Sequence, residues 1–231
     1  MQLLHEFRTE RELLDGSDPV GEELTEQIQI LHLEGVYTWD KSIRMTVKQP
    51  FVLSAVRQTA SGEERTRQTL GDLTLALPLK DYFNLDGKSG SWTLAPQLVV
   101  PGGPREKYNV FRRNWGMGLS LGYEAETYET ILGVGTTAWT YLGDRAPTIA
   151  VNTTVGFNYR ALWSSGHIKL KTQTLFDRDD SFTFSIGPTL FYHVTDLLHL
   201  QFKWMHDLFD HQGRVDHGNG DLFRTGVGVV F

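Results

Sequence analysis

FRTGVGVVF, residues 223–231, alternates apolar and polar or small side chains. One face of this segment carries Phe223, Thr225, Val227, Val229 and Phe231, and the other face carries Arg224, Gly226, Gly228 and Val230. Successive side chains of a β-strand point to opposite faces of the sheet. Because an arginine lies opposite a row of apolar side chains, the segment predicts a strand with one wet face and one apolar face.

The same alternation recurs along most of the chain. It is regular near residues 43–51, 73–79, 92–98, 115–123, 151–160, 168–173, 182–190 and 198–204, and less regular near residues 6–10, 31–39 and 132–140. With the last segment this makes about twelve strands, an even number that places both termini on one side of a closed barrel. We therefore expect one all-β domain over residues 1–231, an antiparallel up-and-down β-barrel.

Composition and aromatic placement favour a transmembrane barrel. The chain is 40% hydrophobic with a mean hydropathy of −0.29, and no segment approaches the roughly 18 apolar residues of a membrane-spanning helix. A soluble sandwich or lipocalin-like barrel would alternate as well. Aromatic residues near the predicted strand ends instead indicate an interface girdle. They are Tyr37, Trp39, Trp92, Tyr123, Tyr159, Trp163 and Tyr192.

The links between predicted strands alternate in length. Short links fall near residues 40–41, 124–127, 164–166 and 194–196, and long polar links near residues 15–26, 58–67, 102–114 and 211–220. Outer-membrane barrels have short periplasmic turns and longer outer loops, so this pattern predicts that both termini are periplasmic. The link over residues 80–90 is an exception, because it is long for a periplasmic turn.

Charge and cysteine content exclude several classes of function. The net charge is −6, no long basic run is present, and the chain has no cysteine. These features argue against a nucleic-acid partner and against thiolate metal sites, and no cofactor is expected. The first six residues lack a basic region followed by an apolar one. We therefore expect that a signal peptide has been removed and that the protein resides in the bacterial outer membrane.

The chain resembles the outer-membrane transporters associated with the meta-cleavage pathway of phenol degradation. The motifs that carry the resemblance are Asp15-Gly16-Ser17-Asp18, Pro50-Phe51, Gly71-Asp72, and Trp92 leading to Val100-Pro101-Gly102-Gly103, where the family usually has Pro-Thr-Gly. The similarity runs from about Asp15 to Phe231 and implies a transporter-like barrel. A C-terminal phenylalanine such as Phe231 also resembles the signal that the outer-membrane insertion machinery reads.

The wet face of the predicted strands contains more bases than acids. The basic residues are Arg8, Arg44, Lys48, Arg160, Lys169, Lys171, Lys203 and Arg224, and the acidic residues are Glu6, Glu10, Glu34, Asp72 and Asp207. A basic pore wall favours anions, so we expect passive uptake of small anionic or aromatic solutes. The alternative is a sealed structural or partner-docking barrel, in which these cations pair with Glu6, Glu34 and Asp72 across a filled interior.

Two groups of residues in the predicted outer loops could bind other partners. Arg105, Lys107, Arg112 and Arg113 are candidates for lipopolysaccharide phosphates, which arginine binds bidentately, although a solvated surface explains them equally well. Asp210, His211, Asp216 and His217 form a weak candidate metal loop, because their spacing matches no standard site. No serine lies in a strained glycine elbow, and an enzyme is not expected.

Overall fold

The computed structural model describes residues 1–13, 23–40, 42–59, 62–66, 68–85, 88–103, 110–127, 129–143, 147–158, 166–176, 182–212 and 215–230. Within them, fifteen strands form one antiparallel sheet. The strands are β1 (Gln2–Leu13), β2 (Glu23–Asp40), β3 (Ile43–Thr59), β4 (Gly62–Thr66), β5 (Thr69–Leu70), β6 (Leu73–Ala76), β7 (Leu79–Leu85), β8 (Lys88–Val100), β9 (Gly116–Glu126), β10 (Thr130–Tyr141), β11 (Thr148–Asn158), β12 (Gly166–Phe176), β13 (Phe182–His193), β14 (Leu198–Gln212) and β15 (Val215–Val229).

The sheet closes on itself as a barrel with twelve wall positions. β1 pairs with both β2 and β15, and the Met1 ammonium donates to the Val229 carbonyl at 2.8 Å. The short strands β4 to β7 follow one another between β3 and β8 and together occupy one wall position. Each wall position pairs with its sequence neighbours, which confirms the prediction of an antiparallel barrel of about twelve strands.

Apolar side chains cover the outside of this barrel. Leu200, Phe202, Phe223 and Val227 are all exposed, whereas the apolar face of a soluble barrel would be buried in its centre. In contrast, the carboxylates of Glu6 and Glu34 are buried and point inward. A membrane barrel has this arrangement, with an apolar outer band and a polar interior. Within the described residues, no helix has the length and hydropathy that a membrane span requires.

Aromatic side chains surround the end of the barrel that holds Met1 and Val230, which we call the terminal end. Tyr37 contacts Trp39 edge-to-face at 4.9 Å, and the Trp92 ring lies 4.6 Å from that of Tyr123. Tyr192 is exposed at the same end. These residues were predicted to form an interface girdle, whereas the predicted members Tyr159 and Trp163 lie outside the described residues.

The wall position formed by β4 to β7 is interrupted between its short strands. Backbone groups that face hydrocarbon need partners inside the protein, and here partners beyond the regular ladder provide them. The backbone N–H of Arg44 donates to the Pro78 carbonyl at 3.1 Å, and the backbone N–H of Leu77 donates to the Pro96 carbonyl at 3.0 Å. The Gln49 side-chain amide donates to the Gly71 carbonyl at 3.0 Å. The interruptions therefore leave these backbone groups hydrogen-bonded.

Several predicted loops are continuations of strands. The link over residues 80–90 is a hairpin in which Leu85 pairs with Lys88, so only residues 86–87 connect β7 to β8. The link was predicted to be long because polar residues at the ends of β7 and β8, which continue the ladder between these two strands, were counted as loop residues. The link over residues 58–67 is similar, since β3 ends at Thr59 and β4 begins at Gly62.

Candidate functional site

The barrel interior contains a cavity of about 660 Å³ that is lined by both apolar and charged side chains. Its apolar lining includes Pro50, Val99, Val110, Phe111 and Trp139. Its polar and charged lining includes His32, Glu34, Lys48, Asp72 and Arg224. A volume in this range accommodates a small organic molecule. The cavity can therefore contact both a ring or alkyl group and a charged group of one molecule.

Part of the apolar lining comes from residues 110–113, which lie between β8 and β9 and are called the inserted segment. Val110 and Phe111 pack against an inward cluster formed by Ile28, Ile30, Val52 and Ala55. The β2–β3 ladder shifts register here, since Gln29 pairs with Ser54 and Ile30 with Val52, which leaves Leu53 without a partner in β2. The bulge moves the inward face of β3 from even to odd positions. Sequence alternation did not predict this cluster, although Ile28 and Ile30 share the face of Glu34.

The inserted segment is bound to the wall by Asp72. The Asp72 carboxylate, only 5% exposed, accepts the backbone N–H of Gly102 at 3.1 Å and that of Arg113 at 2.9 Å. Arg113 has a φ of 56°, in the left-handed region that non-glycine residues rarely adopt. A side chain at Gly71 would overlap Phe111 and Pro50, and one at Gly102 would overlap the Gly71 carbonyl. Residues that carried the family resemblance therefore meet at one point.

The position of Arg113 corrects one sequence-based expectation. Arg113 was a candidate lipopolysaccharide contact, but it is only 7% exposed, and its guanidinium donates to the Leu70 carbonyl and to Thr69 Oγ1. The hydrogen bonds turn it into the wall, away from solvent. Arg112 does remain exposed, with its guanidinium 5.3 Å from the Tyr141 ring centroid. Arg105 and Lys107 lie outside the described residues.

Glu6 is the centre of a buried ionic cluster. Its carboxylate is 1% exposed and contacts Arg224 Nε at 3.0 Å, Arg8 Nη2 at 3.1 Å and His32 Nε2 at 3.1 Å. Burying a carboxylate costs several kcal/mol unless charged and hydrogen-bonding partners compensate. Pairing of the basic residues with Glu6 was the alternative left open by the sequence, and it holds for Arg8 and Arg224. The role of His32 was not predicted.

Other basic residues of the interior also have partners. Lys48 lies 3.4 Å from Glu34, and Lys169 lies 3.1 Å from Glu124. Arg44 donates to the Tyr82 hydroxyl at 2.9 Å. Pairing with Glu34 was anticipated, whereas Glu124 had been assigned to a turn. It is in fact an inward residue of β9, which continues to Glu126.

Two inward lysines differ from the rest. Among the residues that the structure describes, neither Lys171 nor Lys203 has an acidic partner within ion-pair distance. Both lie on the wall formed by β12 to β15. Arg160, also predicted to line the lumen, lies outside the described residues, as does the side chain of Glu10.

A chain of neutral hydrogen bonds crosses the wall beside the cavity. Gln97 Nε2 donates to Ser120 Oγ at 2.6 Å, and the Ser120 and Thr137 hydroxyls are 2.8 Å apart. The Trp139 indole N–H donates to Gln97 Oε1 at 3.3 Å. These contacts fix the Trp139 ring at the cavity surface. Trp139 was not predicted to point inward, because the irregular alternation of residues 132–140 does not indicate which side chains face the interior.

The candidate metal loop lies at the hairpin of β14 and β15. The backbones of Asp210 and His217 pair there, as do those of His211 and Asp216. Their side chains are outside the described set. Among described side chains, no group of three or more histidines and carboxylates could hold a metal ion. The metal assignment therefore stays an untested prediction from the sequence.

Several solved structures share this fold. An outer-membrane channel from Pseudomonas putida F1 is 16% identical over 99% of this chain and 94% of its own, with a TM-score of 0.73. The NanC porin is 11% identical over 100% and 99% of the two chains, with a TM-score of 0.58. The KdgM porin in complex with disordered oligogalacturonate is 8% identical over 100% and 99%, with a TM-score of 0.56. At such identities the likeness shows the fold.

The similar structures are channels and porins rather than enzymes, in agreement with the expectation from the sequence. Its apolar outer band and polar interior are the arrangement of an outer-membrane barrel. No curated protein sequence matches it. A family model does match, over residues 19–224. The chain therefore belongs to the family described as "Putative MetA-pathway of phenol degradation".

Proposed function

We propose that this protein is a passive outer-membrane channel for small organic anions, including aromatic acids. The observation that carries the proposal is the cavity of about 660 Å³, whose lining includes the aromatic residues Phe111 and Trp139 and the basic residues Arg224 and Lys48. An aromatic acid has a ring and a carboxylate at opposite ends. Such a molecule matches a lining of aromatic and basic side chains better than a neutral sugar or a cation does.

The charge balance of the interior supports a preference for anions. The carboxylates of Glu6, Glu34 and Glu124 each contact a basic side chain, while Lys171 and Lys203 remain without an acidic partner among the described residues. Basic residues in a pore favour anions over cations. The KdgM porin, solved with oligogalacturonate, is a channel of the same fold that binds a carboxylate-bearing ligand.

The orientation and the envelope partners follow from the same proposal. We assign the terminal end to the periplasm, since bacterial single-chain barrels have short turns there. Arg105, Lys107 and Arg112 are proposed contacts for lipopolysaccharide phosphates, and Arg112 also lines the cavity beside Tyr141. Phe231, the C-terminal residue, is proposed to be recognised by the outer-membrane insertion machinery.

Planar-bilayer recordings test the proposal directly. Purified protein is expected to conduct, and a salt gradient of potassium chloride should give a reversal potential of the sign that chloride selectivity requires. Liposomes should also admit benzoate faster than its neutral analogue benzyl alcohol, after correction for passage through protein-free lipid. Cation selectivity or an absence of conductance would contradict the proposal.

A sealed barrel is the second candidate, favoured by the inserted Phe111 and by the ion pairs around Glu6. In that case wild-type protein should show no conductance. Removal of the Phe111 ring should then leave the current at the level of the empty membrane, because ion pairs elsewhere still block the interior. A current that appears in the wild type decides for the channel.

A further inference from the structure

One row of paired residues crosses the inner face of the barrel from β12 to β1. Lys169 pairs with Thr189, Thr189 with Lys203, Lys203 with Arg224, and Arg224 with Glu6. Residues paired directly across antiparallel strands have Cβ atoms about 5 Å apart. Three basic side chains and one acidic side chain are thus aligned at one height along the barrel axis, with the Thr189 hydroxyl among them.

The two ends of this row are neutralised and its centre is not. Arg224 contacts Glu6, and Lys169 contacts Glu124. Lys203, at the centre, has no acidic partner among the described residues. Like charges directly opposite each other are destabilising, so the adjacent Lys203 and Arg224 leave a local positive excess.

Lys171 adds a second unpaired positive charge next to this centre. It pairs across the sheet with Gly187, two residues from Thr189 on the same inward face of β13. Diagonal neighbours of this kind lie about 7 Å apart, within reach of long side chains. Gly187 has no side chain to separate Lys171 from the Thr189 hydroxyl. Lys171 and Lys203 therefore flank Thr189 from the two neighbouring strands.

Thr189 supplies an independent indication of a ligand. Its side chain is only 4% exposed, and its Oγ1 atom is buried without any hydrogen-bond partner. A buried hydroxyl that lacks a hydrogen-bond partner destabilises the fold. A ligand with an oxygen acceptor would satisfy the hydroxyl and would also neutralise the two lysines.

We infer that Lys171, Lys203 and Thr189 form a binding site for the carboxylate of a small organic acid. The inference rests on the proposed channel function, because it places one step of anion passage at these residues. Arg224 connects the site to the cavity, since it adjoins Lys203 in the row and also lines the cavity. The carboxylate binds the two ammonium groups and the hydroxyl, and the remainder of the acid extends into the cavity.

Calorimetric titration of the detergent-solubilised barrel with sodium benzoate, at constant ionic strength, tests the site without requiring conductance. Wild-type protein is expected to bind benzoate saturably, and acetate should compete. Lys203→Met and Lys171→Met should each weaken binding about tenfold, as loss of a charged hydrogen bond does. Thr189→Val, which keeps the shape of the side chain, should weaken it several-fold.

Two variants serve as matched controls. Arg65→Met removes an exposed cation that is paired with Glu63 in the β3–β4 hairpin, and Thr153→Val removes an outward hydroxyl that is bonded to Thr172. Both should bind benzoate as the wild type does. Heat-dependent migration on gels should show that every variant is folded, so that a loss of binding reports on the site.

The outcomes separate this inference from the proposed function. Failure of wild-type protein to bind benzoate, or equal affinity in the Lys171→Met/Lys203→Met double variant, overturns the site. Equal affinity for benzyl alcohol, or displacement by phosphate where acetate has no effect, overturns its assignment to carboxylates. Benzoate binding that requires the lysines, in a barrel that does not conduct, leaves the site standing and removes the channel.

Discussion

Asp72 binds the inserted segment through the backbone of Arg113 rather than through its guanidinium. Its carboxylate accepts the Arg113 N–H at 2.9 Å, while the guanidinium donates to Leu70 and Thr69. The two residues are of opposite charge, yet their contact depends on the left-handed conformation of Arg113. A conformation of this kind costs about 1–3 kcal/mol and persists only where neighbouring contacts impose it.

Asp72→Ala should therefore destabilise the barrel and release the inserted segment. Two buried N–H groups lose their acceptor, which should lower the free energy of unfolding by about 2 to 4 kcal/mol. Urea titration in detergent micelles measures the change. Asp196→Ala, which removes an exposed carboxylate from the β13–β14 turn, is the control and should be nearly neutral. An equal loss in both variants would contradict the role assigned to Asp72.

Glu6→Gln should have a larger effect because it leaves a cluster of basic side chains without its central negative charge. Removing one partner from a buried ion pair costs roughly 3–5 kcal/mol. The same change adds one net positive charge to the interior, so the reversal potential should move further toward that of chloride. Glu63→Gln alters an exposed ion pair and should change neither quantity. An unchanged reversal potential in folded Glu6→Gln protein would show that Glu6 is remote from the ion path.

The two faces of β11 offer a test of the membrane assignment. Val151 points outward, between exposed Ile149 and Val155, whereas Asn152 points into the barrel. Val151→Arg places a charge in hydrocarbon and should lower stability in phospholipid bilayers by about 2–4 kcal/mol. Asn152→Arg should cost less than half as much, since its side chain enters the polar interior. The reverse order, measured by denaturant titration in vesicles, would mean that the faces are exchanged.

Phe111→Ala tests whether the inserted segment narrows the path. The half-buried ring packs on the cluster around Val52, so its removal should cost about 2 kcal/mol, below the value for a fully buried phenylalanine. Single-channel conductance should rise because the cavity widens. Phe209→Ala removes an exposed outward ring and should leave conductance at the wild-type value. A lower conductance in Phe111→Ala would show that the ring contributes to passage instead of obstructing it.

The wall was predictable from the sequence because the physical rule behind it is local. A strand between water and lipid must alternate, and residues such as Leu121, Val155 and Phe223 follow this rule wherever the ladder is regular. The closed, twelve-position architecture and the outward apolar face were predicted on that basis and are confirmed. The hairpins were predicted less well, since polar loop residues and polar strand residues have the same composition.

The interior required information that alternation does not contain. Ile28, Ile30 and Val52 are apolar yet point inward. Their side chains are covered there by Phe111, which is distant in sequence. Similarly, Glu124 meets Lys169 only when β9 and β12 are placed around one barrel. The Thr189 hydroxyl gave no signal at all, since threonine is common in strands and only its burial without a partner distinguishes it.

The placement of Trp139 gives the protein an intrinsic optical probe. Of the six tryptophans in the sequence, Trp39, Trp92, Trp115 and Trp204 are exposed on the outer surface, whereas Trp139 lines the cavity and is fixed by Gln97. Brominated lipids should quench the emission of the outer tryptophans. A water-soluble quencher that enters the barrel should quench Trp139. A chain that retains tryptophan only at this position would report occupancy of the cavity by a change in its emission, without any attached label.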